Sequence, residues 1–197
     1  MFTRKLRTWQ VLPLAACCLA SAAAQADWSL DAEASSFLYV TSKASALSEV
    51  NNFTGLSGSI SDAGEATLEI DLASVSTNIE IRDERMRDLV FQVADFPSAT
   101  VQVNVDSARL DALKVGEQLD DSWDATISLH GMEQTLAAGL RVTKLADDAV
   151  QVHTLQPLLV AASSFGLSAG VEQLREVAGL PSINPNVVVN FTLVYRP

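Results

Sequence analysis

Thr67-Leu68-Glu69-Ile70-Asp71-Leu72 and Val101-Gln102-Val103-Asn104-Val105-Asp106 set apolar and polar side chains in strict alternation. A period of two sends successive side chains to opposite faces of an extended chain, so each stretch reads as a strand with one dry and one wet face. The same period recurs at Ile127 and Leu129 between Thr126, Ser128 and His130, at Leu140 and Val142, and at Val187, Val189, Phe191, Leu193 and Tyr195. Phe37 to Thr41, Leu56 to Ile60 and Val150 to Leu155 carry it more weakly. About eight strands result, separated by turn-rich pieces such as Ser61-Asp62-Ala63-Gly64 and Leu145-Ala146-Asp147-Asp148. That spacing suits an all-β antiparallel barrel or sandwich, and a barrel has the advantage of leaving no edge.

Two stretches break the alternation. Between Ile79 and Phe91, Arg82, Met86 and Leu89 share a helical face; between Val171 and Ala178, Val171, Leu174 and Val177 do so. They read as short helices on connections, the second ended by Gly179, Pro181 and Pro185.

The N-terminus has the three-part layout of an export signal. Arg4, Lys5 and Arg7 precede an apolar run from about Val11 to Ala24, and Ala24-Gln25-Ala26 precedes the polar Asp27. Residues 1–26 therefore read as a signal peptide and 27–197 as one β-domain, periplasmic or secreted. A second processing route stands beside it: Leu14-Ala15-Ala16-Cys17 resembles a lipoprotein signal, which would anchor the chain at Cys17. Both cysteines, Cys17 and Cys18, precede Asp27, so cleavage after Ala26 leaves packing alone to hold the fold. Three of the thirteen basic residues also precede Asp27, leaving ten against 24 acidic ones, a net charge of −14. Nucleic acid is excluded as a partner by that balance.

Little in the chain supports catalysis. His130 and His153 are its only histidines and show no metal-ligand spacing. His130 stands before Gly131 at an expected hairpin turn and reads as a turn hydrogen-bonder. There is no nucleophile elbow, and Gly55-Leu56-Ser57-Gly58 has the wrong spacing for a phosphate loop. The Asn52-Phe53-Thr54 and Asn190-Phe191-Thr192 triplets fall in strand-like segments and carry no assignment. Glu80-Ile81-Arg82-Asp83-Glu84-Arg85-Met86-Arg87-Asp88 is the densest charged segment. Its three arginines form either a clamp for an anionic group or a salt-bridged helix surface with an Asp83–Arg87 pair.

The order of short motifs is more specific than any one of them. Ser74-Val75-Ser76-Thr77 is followed by Ile81-Arg82-Asp83-Glu84-Arg85-Met86-Arg87, then Phe91, Val93 and Phe96-Pro97, then Ile127-Ser128-Leu129-His130-Gly131, then Phe165-Gly166-Leu167. In this order they resemble the YceI-like family over nearly the whole exported part. The departures are Ser164 where an acidic residue usually precedes Phe-Gly, Leu89-Val90-Phe91-Gln92 in place of Asp-Phe-Phe-Asp, and an unfamiliar Lys43 to Phe53. They bear on ligand choice.

The resemblance implies a lipocalin-like antiparallel barrel of about eight strands, with one or two short helices on connections. Inside it a long isoprenoid or related amphiphile, a quinone among the candidates, would thread as cargo, with no catalytic cofactor. On this reading Phe37, Tyr39, Phe53, Met86, Phe91, Phe96, Leu129, Phe165 and Leu167 line the ligand site, and Arg82 and Arg85 contact a head group. At ~0.8 kcal/mol per buried methylene, ten give roughly 8 kcal/mol, within the ~4–15 kcal/mol that association costs, so a long chain is required. Membrane contact for ligand exchange and pairing into a homodimer stay open. Two alternatives remain: an envelope-stress or adhesion module whose barrel is filled by its own side chains, and a hydrolase or isomerase using Arg82, Arg85 and Arg87.

Overall fold

The computed structural model describes residues 26–44, 46–146 and 149–197. The expected signal, with Cys17, lies outside them, as do Asp147 and Asp148 of one expected turn. The strands are β1 (Ala26–Leu30), β2 (Ser36–Lys43), β3 (Leu47–Phe53), β4 (Leu56–Ser61), β5 (Glu65–Asp71), β6 (Val75–Ser76), β7 (Ser98–Asn104), β8 (Gln118–Leu129), β9 (Met132–Lys144), β10 (Val150–Thr154), β11 (Leu158–Ala161) and β12 (Asn186–Arg196).

These twelve segments form eight strands, because four of the eight are interrupted. Leu30 of β1 pairs with Tyr195, and Phe37 of β2 pairs with Phe191 of the same β12. In turn β4 lies on β1 and β3 on β2, while β5 lies on β4 and β6 on β3. β10 and β11 both pair with β12. With β7, β8 and β9 completing the circuit, β12 meets the first strand again and the antiparallel barrel closes. A sandwich is thereby excluded.

Local chemistry places the interruptions. The Asp31 carboxylate accepts the amides of Glu33 and Ala34 between β1 and β2. Asp71 accepts the Ala73 amide at 2.9 Å and caps a single 3₁₀ turn, Leu72–Ser74, between β5 and β6. These breaks explain the sequence reading's omissions: β1, β6 and β11 are too short to show a period.

His130 and Gly131 form the two-residue turn of the β8–β9 hairpin, both at positive φ (52° and 72°), with Leu129 opposite Met132. Two left-handed residues match the twist of a tight hairpin. His130 also hydrogen-bonds Gln92 (Nε2 to Oε1, 3.2 Å), the turn role expected of it.

The connections carry more helix than expected. α1 (Glu80–Arg85) runs directly into a π-helical stretch, Met86–Phe91. The wider turn rotates Val90 and Phe91 into the core in place of Leu89, which corrects the face read from a 3.6 period. α2 (Ser107–Asp111), absent from the sequence reading, is capped by Asp106 and plants Leu110, 2% exposed, in the core. α3 (Ser168–Val177) begins earlier than expected, and Val177 faces outward. It packs on the π-helical stretch at Gly170, where a Cβ would stand 2.3 Å from the Leu89 carbonyl oxygen.

Candidate functional site

The inward residues of the barrel do not fill it. They surround a cavity of about 530 Å³, within the ~300–1,000 Å³ common for small-molecule sites. The wall is built from alternate residues of each strand: Val101 and Val103 from β7, Trp123, Ala125, Ile127 and Leu129 from β8, Val187, Val189, Phe191 and Leu193 from β12. Period two in the sequence has become one continuous apolar surface.

One side of the wall is aromatic. Phe37 stacks on Phe191 at 6.2 Å and meets Phe53 edge-on at 6.1 Å. Phe53 in turn touches Tyr39 at 5.4 Å and Phe91 at 5.7 Å. Pairs of this kind contribute about 0.5–1.5 kcal/mol each beyond their buried area, so the wall is rigid on its own account. Burial pushes the Tyr39 phenol well above its ordinary pKa, keeping it a neutral donor whose hydroxyl, among the described residues, reaches only the Met86 sulfur, at 3.9 Å.

Of the residues expected to line the site, Phe37, Tyr39, Phe53, Met86, Phe91, Leu129 and Leu167 are in the wall, with Arg82 and Arg85. Phe96 and Phe165 are not. Phe96 packs on the His130 ring at 4.3 Å, beside the hairpin turn. Phe165, 1% exposed, is ordinary core from the 3₁₀ turn Ala162–Phe165. Proximity in a motif was a poor guide to direction, since Leu167, two residues on, does reach the cavity. Phe191 and Trp123 were missed although their strands were read.

The most informative omission is β3. Its inward residues are Glu49, Asn51 and Phe53, while Val50 faces outward, 60% exposed, and Leu47, on the inward parity but at the end of the strand, is 58% exposed. Neither face of Leu47–Phe53 is continuously apolar, since Glu49 and Asn51 turn inward between Leu47 and Phe53, so a search for apolar faces passes over it. With Thr41 and Lys43 of β2, Glu49 and Asn51 make the cavity polar near its mouth. Ile79, Ile81, Arg82, Arg85, Leu180, Ile183 and Asn184 form the rest of that rim.

Lys43, Glu49 and Arg82 match one another's charges at the rim. Glu49 Oε2 lies 2.7 Å from both Lys43 Nζ and Arg82 Nη1. Arg82 also donates Nε to Thr77 Oγ1 at 2.8 Å and Nη2 to the Thr77 carbonyl at 2.7 Å. Asp83 accepts both the Thr77 amide, at 2.9 Å, and its hydroxyl, so it is engaged there and the Asp83–Arg87 pair does not form. Arg87 instead reaches the Ala73 carbonyl at 3.4 Å, away from the cavity, so the three arginines make no common clamp.

Lys43 and then Arg82 hold the Glu49 carboxyl below its ordinary value of 4.5. A lowered folded-state pKa contributes stability that is present above the ordinary value and is lost as pH falls through the folded one. Glu49→Gln is therefore expected to melt lower than the parent protein at neutral pH, with the gap closing in acid. Thermal melts across this range check it; a gap unchanged down to about pH 2 would show that the ion pairs contribute nothing.

Among the described residues no group of three or more His, Cys, Asp or Glu side chains is placed to hold a metal.

The architecture has close relatives in solved structures. A polyisoprenoid-binding domain from Saccharophagus degradans, implicated in plant cell wall breakdown, superposes with a TM-score of 0.86 at 42% identity, over 87% of this chain and 99% of that one. BcnA of Burkholderia cenocepacia shares the fold at 17% identity and a TM-score of 0.64, over 84% of this chain and 98% of its own. No curated protein matches. The model of the YceI-like domain matches residues 28–195, nearly every described position. Barrel, motif order and domain match agree: the chain belongs to the YceI-like family.

Proposed function

We propose that this protein is a periplasmic or secreted lipid carrier or buffer that holds a long isoprenoid or related amphiphile, a quinone or quinol among them, inside its barrel without catalysis. The observation that carries the reading is the cavity itself. An interior of about 530 Å³ walled by apolar side chains is what a filled interaction module would lack. The 42% identical neighbour is a polyisoprenoid-binding domain, which supports the same ligand class here.

The size of the ligand follows from energetics. At ~0.8 kcal/mol per buried methylene, only a long chain clears the ~4–15 kcal/mol cost of association through apolar contact. Exchange with a membrane is supported by the rim, where Ile79 and Ile81 are 46% and 52% exposed. These side chains would meet acyl chains while the cavity opening faces the bilayer.

Mass spectrometry of an organic extract, from protein purified without detergent out of its native compartment, tests the proposal. A near-stoichiometric long-chain isoprenoid is expected, absent from a boiled and refolded control. A lipid-free, folded protein that also refuses added isoprenoid would overturn the carrier reading.

A further inference from the structure

We infer that the outer face of β11, β12, β2 and β3 is a self-association surface, on which a second copy of this chain packs about a two-fold axis. The inference is independent of what the cavity holds.

Four aliphatic side chains stand in one row across that face. Leu159 is opposite Val188, Val188 opposite Val40, and Val40 opposite Val50. Leu158, Val189, Tyr39 and Asn51, each next in sequence to a member of the row, point into the cavity, so the row itself points out. Its two ends are wide open, Leu159 at 73% and Val50 at 60% exposure. Beside it runs a second outward row, Asn190, Leu38 and Asn52, in which Leu38 is also exposed. Single exposed aliphatic residues are ordinary on a protein surface, whereas a contiguous apolar row framed by polar residues marks an interaction site.

Charge selects the occupant. Lys43 and Glu49 are the only charged residues of β2, β3 and β11, and both turn inward. β12 carries charge only at its last residue, Arg196, which pairs with Asp31 at 2.6 Å. Elsewhere the barrel is acidic outside, with Glu65, Glu69 and Asp71 on β5 and Asp120 and Asp124 on β8. Two copies of so acidic a chain repel where such carboxylates meet, and on the charge-free face they approach without that cost. A partner recognised by charge would find nothing there to pair with. Acyl chains of a bilayer would leave Asn52 and Asn190 without hydrogen bonds. A second copy answers both kinds of residue: aliphatic rows pack on each other, and amides, which donate and accept, bond to their own kind across a two-fold axis.

The dimensions set the strength. The face measures about 19 Å across four strands and about 24 Å along Ser36 to Ser42, so a pair buries roughly 900 Å², the size of a weak and reversible interface.

Sedimentation velocity of the purified exported protein from about 1 μM to 1 mM, the range of a small interface, tests this. The average mass is expected to rise from one chain toward two. Val50→Glu and Leu159→Glu are each expected to weaken self-association at least about tenfold, because each buries an unpaired carboxylate in the contact. Both sites are exposed, so thermal melting of the variants is expected to match the parent. Ser57→Glu, exposed on β4, is expected to leave self-association unchanged. A parent protein that stays monomeric throughout, association that survives both row variants, or an equal loss in Ser57→Glu would each overturn the inference. Capture of the monomeric parent, but not of Val50→Glu, by phosphatidylcholine vesicles would overturn it as well and assign the face to a membrane.

Discussion

Phe165→Ala is expected to cost about 3–5 kcal/mol of stability and to leave the amount of bound lipid per folded molecule unchanged. Phe165 is 1% exposed, so truncation removes a full aromatic side chain from close packing and leaves a void that its neighbours fill only in part. Yet the ring is absent from the cavity wall. It anchors the 3₁₀ turn Ala162–Phe165, after which Gly166 takes φ 68° and lets the chain enter α3. Denaturant unfolding gives the stability change, and quantitation of extracted lipid gives the occupancy. A large loss of lipid at conditions where the variant is still folded would place Phe165 in the binding site after all. A loss under about 1 kcal/mol would contradict its burial, since core Phe truncations fall well above that.

The contrast between Phe165 and Leu167 shows what a sequence does and does not make legible. Periodicity reports direction relative to a sheet, so Leu68, Ile70, Val101, Val103, Ile127 and Leu129 were placed on the inner face correctly. It fails where the chain leaves the sheet. Phe96 and Phe165 sit on connections, where two residues of displacement decide between core and cavity. The helix face between Ile79 and Phe91 was half right for the same reason: Arg82 and Met86 obey the 3.6 period, and the π-helical turn then changes it.

Interrupted strands had a further effect. Eight was the right number, reached although β3 was unread and β1 and β6 are fragments, because each fragment continues a neighbour's ladder. Glu49 and Asn51 were illegible for a physical reason. Locating a core from sequence assumes that apolar side chains turn inward, and at the mouth of this cavity Glu49 and Asn51 turn inward instead. Leu47-Ser48-Glu49-Val50-Asn51-Asn52-Phe53 carries no alternation that marks a dry face, because both of its faces mix apolar and polar residues.

Ala125→Trp separates an empty interior from a filled one by the sign of its effect on stability, and it is expected to abolish lipid binding. Ala125, 4% exposed on β8, turns its methyl group into the cavity beside Trp123 and Ile127. In a packed core, enlarging a residue forces neighbours off their rotamers and typically costs about 1–3 kcal/mol. Here the indole enters the cavity instead of close-packed core, where burying a large apolar side chain gains roughly 1.5–3 kcal/mol. The delipidated variant should therefore be as stable as the delipidated parent or more so, while isoprenoid occupancy drops at least about tenfold because the tail and the ring compete for one volume. The two measurements are needed together. Lost binding with a destabilised fold would mean only that the barrel was disrupted, and a neighbouring substitution, Ala99→Phe, repeats the experiment from β7. Unchanged lipid occupancy in a stable Ala125→Trp protein would be the more damaging result. It would mean that lipid binds somewhere other than this cavity, and the carrier mechanism built on an internal tail would have to be given up.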